Sequence, residues 1–316
     1  MRKIRALLVM LTMCAMSFLA LAQDASEQKA VLVTGASSGI GLKIAENLAA
    51  SGYYVYAGAR KAEDLARLDA MDNISAVKLD VTVQSEIDAA VDFVRTEGRG
   101  LWGIVNNAGI VRYSPLVNGP ESDFRLTFDV NVMGPYKINQ AFLPLVIESG
   151  GRTAVIGSIN GFIPSPGVAG YAASKSAMEG YTESLAGELA DLGVHAAIVE
   201  PGAYKSNIRD TMLQAAVARA EAGDLDLDEN TRDGLTQSAA RNESYKEPDE
   251  VAEAVLHLMS SDSPKRRYMV TPNAEQAEMT IRAALQRTLD LNQDQPYTYT
   301  RDELVAILDA LIEASD

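Results

Sequence analysis

Between an apolar run, Ala30-Val31-Leu32-Val33, and a stretch with helical spacing through Ile44, Leu48 and Ala49 stands the segment Thr34-Gly35-Ala36-Ser37-Ser38-Gly39-Ile40-Gly41. No other feature limits so sharply what the chain can fold into. A glycine-rich turn from a buried strand into a helix lets backbone approach a pyrophosphate closely. The first N–H groups of the helix lack intrahelical partners and face the negative charge. The order G-x-x-x-G-x-G is a variant of the usual dinucleotide fingerprint. Gly35, Ser37, Ser38, Gly39, Ile40 and Gly41 are therefore the expected phosphate-binding residues.

The rest of the chain continues in the same rhythm. Tyr53–Ala57, Ala76–Leu79, Leu101–Asn106, Ala154–Gly157, Ala196–Val199 and Tyr268–Thr271 are short apolar runs, and helical segments separate them. Ile87, Val91 and Val94 mark one face of such a helix. Strands apolar on both faces and spaced by helices imply a parallel sheet with right-handed crossovers. The expected class is α/β: a doubly wound parallel-sheet Rossmann fold, one domain over residues 23–272, with a helical C-terminal tail over 273–316. Residues 203–247 break the rhythm. They are polar and acidic, with Asp224, Asp226, Asp228 and Glu229 close together, and read as a substrate loop or helical lid. In the tail, Thr300 and Glu303 form a capping box. Leu304, Ile307, Leu308 and Leu311 follow as an apolar stripe expected to dock on the body or on a second subunit.

The first 22 residues differ in composition. Arg2, Lys3 and Arg5 precede an uncharged, mostly apolar run from Ala6, and Ala20-Leu21-Ala22 has the small-x-small pattern of a cleavage site. The segment reads as a signal peptide or an N-terminal membrane segment. The protein is then exported if the segment is cleaved, and membrane-associated otherwise. The single cysteine, Cys14, lies in that segment, so disulfides and thiolate chemistry are not expected of the mature chain. His195 and His257 are far apart in apolar contexts, and no metal site is expected. A formal charge of −15 excludes nucleic acid as the expected partner.

Residues that carry chemistry come later. The second apolar run ends in Ala59-Arg60-Lys61, with no carboxylate to hold an adenosine ribose; Arg60 instead suits a 2′-phosphate, which favours NADP over NAD. Tyr171 and Lys175 are four apart, on one face of a helix. An ammonium beside a phenol favours the phenolate and brings the pair toward working pH. Ser158 ends a predicted strand, at the edge where such sheets bind ligands, and its hydroxyl suits a substrate oxygen whose charge changes.

The glycine turn, Asn106-Asn107-Ala108-Gly109, Asn131, Ser158, Tyr171-Ala172-Ala173-Ser174-Lys175 and Pro201-Gly202 occur in one order, with Ser158 thirteen residues before Tyr171. In this the chain resembles the classical short-chain dehydrogenase/reductase superfamily, over about residues 29–271. The resemblance implies an NAD(P)-dependent oxidoreductase interconverting an alcohol and a carbonyl. It implies a catalytic set of Asn131, Ser158, Tyr171 and Lys175. Tyr171 would be the acid/base, Lys175 would also bind the nicotinamide ribose, and Asn131 would support a water-linked proton relay. It places Asp80 and Val81 on the adenine, Asn107, Ala108 and Gly109 in the cofactor cleft, and Pro201 and Gly202 beside the nicotinamide. It also implies a homo-oligomer.

Leu101 to Ile110 and Glu200-Pro201-Gly202 resemble the retinol and 17β-hydroxysteroid dehydrogenase branch, which implies a lipophilic secondary alcohol or ketone or a retinoid- or steroid-like substrate. Ile159, Phe162, Ile163, Pro164 and Val168 are the expected apolar wall. The alternative of another class is a dinucleotide-binding sensor or scaffold without turnover.

Overall fold

The strand β1 (Ala30–Val33) is buried along its whole length, and its alternation explains why. Val31 and Val33 belong to one apolar layer, Ala30 and Leu32 to the other, so the strand is covered on both faces. The computed structural model describes residues 28–314; the signal-like segment with Cys14 lies outside the described residues. The other strands are β2 (Tyr54–Ala59), β3 (Ile74–Lys78), β4 (Gly103–Asn106), β5 (Arg152–Ile156), β6 (His195–Pro201) and β7 (Arg267–Val270). All pair in parallel in the order β3-β2-β1-β4-β5-β6-β7. The expected doubly wound sheet is therefore the observed one. Its order reverses between β1 and β4, and there a crevice opens at the carboxyl ends of the strands.

The crossovers are helical: α1 (Gly39–Ala50), α2 (Ala62–Asp69), α3 (Gln84–Glu97), α4 (Glu121–Phe128), α5 (Gly134–Ser149), α6 (Ala169–Ala190), α7 (Ile208–Ala222), α8 (Glu229–Ala240) and α9 (Asp249–Ser260). Ile44 and Leu48 of α1 meet Val251, Val255 and Met259 of α9 over Val31, Val33 and Val55. On the opposite face Ile87 and Val94 of α3, Ile138 and Phe142 of α5 and Leu189 of α6 cover Leu32, Tyr56 and Ile104. Each such fully buried aliphatic or aromatic side chain contributes about 1.5–3 kcal/mol.

Strand β3 begins two residues before the expected position. Asn73 adopts a left-handed conformation (φ 59) that turns the chain straight into Ile74, and its carbonyl already accepts from Val55 N–H at 2.9 Å. The acidic segment after Ala203 holds two helices, α7 and α8, whose Met212, Ala216, Leu225 and Leu235 pack with Val111 and, at the cleft, Tyr171.

The chain divides into two compact units between Pro272 and Asn273. The second contains α10 (Ala274–Asn292) and α11 (Arg301–Glu313). The expected capping box is present: Glu303 N–H donates to Thr300 Oγ1 at 3.4 Å, and Thr300 N–H donates to Glu303 Oε2 at 2.8 Å. Ile307, Leu308 and Leu311 are exposed. No helix among the described residues is long and apolar enough to cross a membrane.

Candidate active site

The glycine turn is locked before any ligand arrives. Thr34 Oγ1 accepts the N–H groups of both Asn107 and Ala108 at 3.0 Å, tying the end of β1 to the end of β4. Asn107 Nδ2 donates to the carbonyls of Thr34 at 2.9 Å and Gly35 at 3.1 Å. Gly35 and Gly39 take positive φ, 64° and 54°. A Cβ on Gly41 would lie 2.3 Å from both Asn107 Nδ2 and Gly35 O, so only glycine fits where α1 leaves the turn. Ser38 caps α1 without a side-chain hydrogen bond, and Ser38, Gly39, Ile40 and Gly41 at the start of the helix line the cleft. This arrangement fits a diphosphate: narrow backbone, free donors and the positive end of a helix.

The cleft has a volume of about 620 Å³. It runs from Arg60, Asp80 and Val81 past Asn107, Ala108 and Gly109 to Ser158, Tyr171, Lys175, Pro201 and Gly202. The site thus gathers the predicted cofactor residues and three of the four predicted catalytic residues on one wall-to-wall surface. Asp80 is held by Thr82, whose N–H and Oγ1 donate to it at 2.9 and 2.7 Å. Arg60 approaches Asp80 at 3.6 Å and is otherwise largely exposed.

The fourth residue, Asn131, stands just behind. It sits in a single π-turn, Asp129–Met133, between α4 and α5. Its side chain is buried and nearly saturated. Oδ1 accepts from Ile110 N–H at 2.8 Å, and Nδ2 donates to Ile110 O at 2.9 Å and to Ser174 Oγ at 3.0 Å. Ser174 Oγ donates onward to the Tyr171 carbonyl at 2.7 Å. One amide therefore joins the loop after β4 to the helix that bears the tyrosine. Such π-turns concentrate at functional sites.

Lys175 is buried, its ammonium donating to Ile156 O at 2.7 Å and lying 5.7 Å from the centre of the Tyr171 ring. Burial lowers its pKa to about 8, against a smaller upward pull from Glu179 one helical turn away. Burial lifts the Tyr171 phenol above its ordinary value, while a hydrogen bond from Ser158 and the positive field of Arg209 act the other way. Ser158 Oγ also accepts from Asn160 N–H at 3.1 Å, which fixes its rotamer. Behind these groups Arg267 bridges Glu179 of α6 to Glu200 of β6. Burial, reinforced by Glu179, raises the Glu200 carboxyl well above its ordinary range.

The expected apolar wall is only partly the observed one. Ile159 and Val168 line the cleft, but Phe162, Ile163 and Pro164 do not. The 3-10 turn Ile159–Gly161 turns the chain away, with Ile163 N–H closing back on Ile159 O. Val111, Tyr113, Ile208, Met212 and Leu235 supply the missing surface. Sequence reading also missed Thr34, whose hydroxyl organises the turn, and Ser174, which relays Asn131 to the tyrosine helix. A threonine directly before the first glycine was the available signal for Thr34; nothing marked Ser174 beyond its place inside the Tyr-to-Lys turn. Each histidine has a partner: His195 Nε2 lies 3.1 Å from Lys265 O, and His257 Nδ1 lies 2.9 Å from Tyr268 Oη.

Comparison with known proteins gives a consistent result. Residues 29–216 match the family model for short chain dehydrogenases. The chain is 33% identical over 246 residues to an uncharacterized oxidoreductase, YbbO, of Escherichia coli (strain K12), covering 77% of this chain and 86% of that protein. It is 36% identical over 192 residues to estradiol 17-beta-dehydrogenase 2 of Mus musculus, covering 58% of this chain and 50% of that protein. Among solved structures, the closed form of serine dehydrogenase complexed with NADP+ matches with a TM-score of 0.65 and 25% identity, over 77% of this chain and 93% of that one.

Proposed function

The chain belongs to the short-chain dehydrogenase/reductase family of oxidoreductases, and from that premise we propose that it uses NADP to interconvert a lipophilic secondary alcohol and its ketone, with Tyr171 as acid/base. The observation that carries this reading is the grouping of Ser158, Tyr171 and a buried, cationic Lys175 at the end of the same cleft that opens on the glycine turn. When bound, the nicotinamide supplies or accepts the hydride. The chain's own residues manage the oxygen. Ser158 donates a hydrogen bond to the substrate oxygen as negative charge grows there. Tyr171 gives its phenolic proton to that oxygen in reduction and takes it back in oxidation. Lys175, held by Ile156 O, keeps positive charge beneath the ring and favours the phenolate. Asn131 Oδ1 has one lone pair beyond its bond from Ile110, which suits a water at the inner end of a proton path.

NADP as the preferred dinucleotide rests on Arg60 at the adenosine end of the cleft and on the absence of a carboxylate at the end of β2. The nearby Asp80 is already engaged by Thr82 and Arg60. A lipophilic substrate body rests on Val111, Val168, Ile208, Met212 and Leu235. No observation favours the non-catalytic reading. Assembly as a homo-oligomer, and export or membrane association through the first 22 residues, belong to the same proposal and rest on the sequence alone. Cell fractionation with N-terminal sequencing tests the location.

Tyr171→Phe tests the chemistry. It removes the proton but keeps the ring, so turnover should fall by about a thousandfold or more while NADPH binding, followed by fluorescence, stays within a few-fold. Undiminished turnover in that variant overturns the assignment.

A further inference from the structure

Among the described residues, four charged side chains line the cleft: Arg60, Asp80, Lys175 and Arg209. Arg60 and Asp80 face each other at 3.6 Å at the adenosine end. Lys175 is fixed from below by Ile156 O. Arg209, near the start of α7, is different. Among the described residues it has no carboxylate within ion-pair distance and no hydrogen-bond acceptor; its guanidinium lies 4.6 Å from the centre of the Tyr245 ring. That cation–π contact leaves the guanidinium N–H groups of a cleft-lining arginine without a protein acceptor among the described residues.

The contrast with neighbouring cations is informative. Lys205, four residues earlier, is paired with both Glu243 and Glu247 at 3.1 and 3.3 Å. Arg112 and Arg219 share the buried Asp123. In a chain of formal charge −15, a half-buried arginine left unpaired in the cleft is not explained by a shortage of acids. Its field is felt at the acid/base, since Arg209 is among the groups that act on Tyr171. Beside the polar Ser206, Asn207, Thr211 and Ser238, the same part of the cleft carries an apolar patch: Ile208 on the same helix, Met212 one turn on, Leu235 from α8 and Val111.

We propose that Arg209 is an anion subsite, and that the substrate is an amphipathic hydroxy or oxo acid whose carboxylate pairs with Arg209 while its apolar body lies on Val111, Met212 and Leu235. The proposal deepens the oxidoreductase reading and rests on it, because the same cleft holds both ends of the molecule. The diphosphate of the dinucleotide is a second source of the same anionic chemistry, and the experiment separates the two.

Octanoate and octanamide share a tail and differ in charge. Their binding to the NADP+-loaded full chain is measured by calorimetry for wild type, Arg209→Met, Arg209→Lys and Tyr171→Phe. The wild type should bind octanoate about tenfold or more tightly than octanamide, as a charge-assisted hydrogen bond predicts. Arg209→Met should lose that preference, Arg209→Lys should recover part of it, and octanamide binding should change less than about twofold in both. NADP+ affinity should be unchanged across the set. Tyr171→Phe should keep the octanoate preference, so a failure of the proton-transfer assignment is read separately from a failure of the subsite. Equal binding of the two probes by wild type overturns the proposal. So does a fall in NADP+ affinity in Arg209→Met with the octanoate preference intact, which assigns the arginine to the diphosphate.

Discussion

At Lys175 the proposed role and the stability of the fold pull against each other. An ammonium held in the interior with a pKa near 8, against 10.5 for an exposed lysine, costs folding about 3 kcal/mol, 1.36 kcal/mol for each unit of displacement. The sign follows from proton uptake. Between about pH 8 and 10.5 the unfolded chain holds a proton that the folded one lacks, so the cost is fully present below about 8 and is relieved as pH rises through that window. Lys175→Met should therefore abolish turnover and raise thermal stability at pH 7, less whatever is lost by leaving the Ile156 carbonyl unpaired; a melting curve for each protein checks it. Ser158→Ala should lower kcat by about 10²–10³ and leave dinucleotide binding near normal, because the proposed place of its hydroxyl is where charge develops. The pair Tyr171 and Lys175 was legible in the sequence because four-residue spacing fixes a shared helical face whatever surrounds it. Arg209 was not, since its meaning lies in what it fails to pair with, and that is a property of the folded neighbourhood.

Elements explain which parts could be read in advance. β1 is a continuous apolar run, and β4 and β6 are built around the runs Ile104-Val105 and Ala196–Val199, so hydropathy located them. β3 was placed two residues late because its start is set by the left-handed turn at Asn73, which carries no apolar signal. The π-turn at Asp129–Met133 was invisible for a related reason. One extra residue leaves the helical period on either side intact while re-aiming Asn131 at Ile110. Asn131→Ala should leave the part-buried N–H and C=O of Ile110 without their side-chain partner, at about 1 kcal/mol each, and should slow catalysis more than it weakens NADPH binding. Chemical denaturation paired with steady-state kinetics checks both halves. In the phosphate turn, Gly41→Ala drives a Cβ into Asn107 Nδ2 and Gly35 O, so dinucleotide affinity should fall by at least tenfold. The acidic segment after Ala203 reads in the sequence as a loop or a helical lid, and it holds two helices; their bounds were not legible because its many carboxylates outnumber the few apolar side chains that anchor it on Val111 and Tyr171.

At the scale of the whole molecule the cleft behaves as a linkage point. A dinucleotide that binds only the folded chain adds about 2.7 kcal/mol at a concentration one hundred times its dissociation constant. Melting should therefore rise by several degrees with NADPH. At equal concentration NADH should raise it less, and Arg60→Ala should narrow the difference between the two. The fold was legible because alternation of strand and helix dictates a parallel sheet. The order reversal between β1 and β4 then dictates where a ligand lies. That reversal also sets a schedule. The floor of the cleft joins Thr34 to Asn107, its reactive wall waits for Tyr171, and its far wall is completed only by Leu235 and Ser238. A growing polypeptide exposes the glycine turn early and cannot finish the pocket until some two hundred residues later have emerged. Nascent chains halted before α7 should therefore lack the wall of Ile208, Met212 and Leu235 and show no turnover when assayed while still attached to the ribosome.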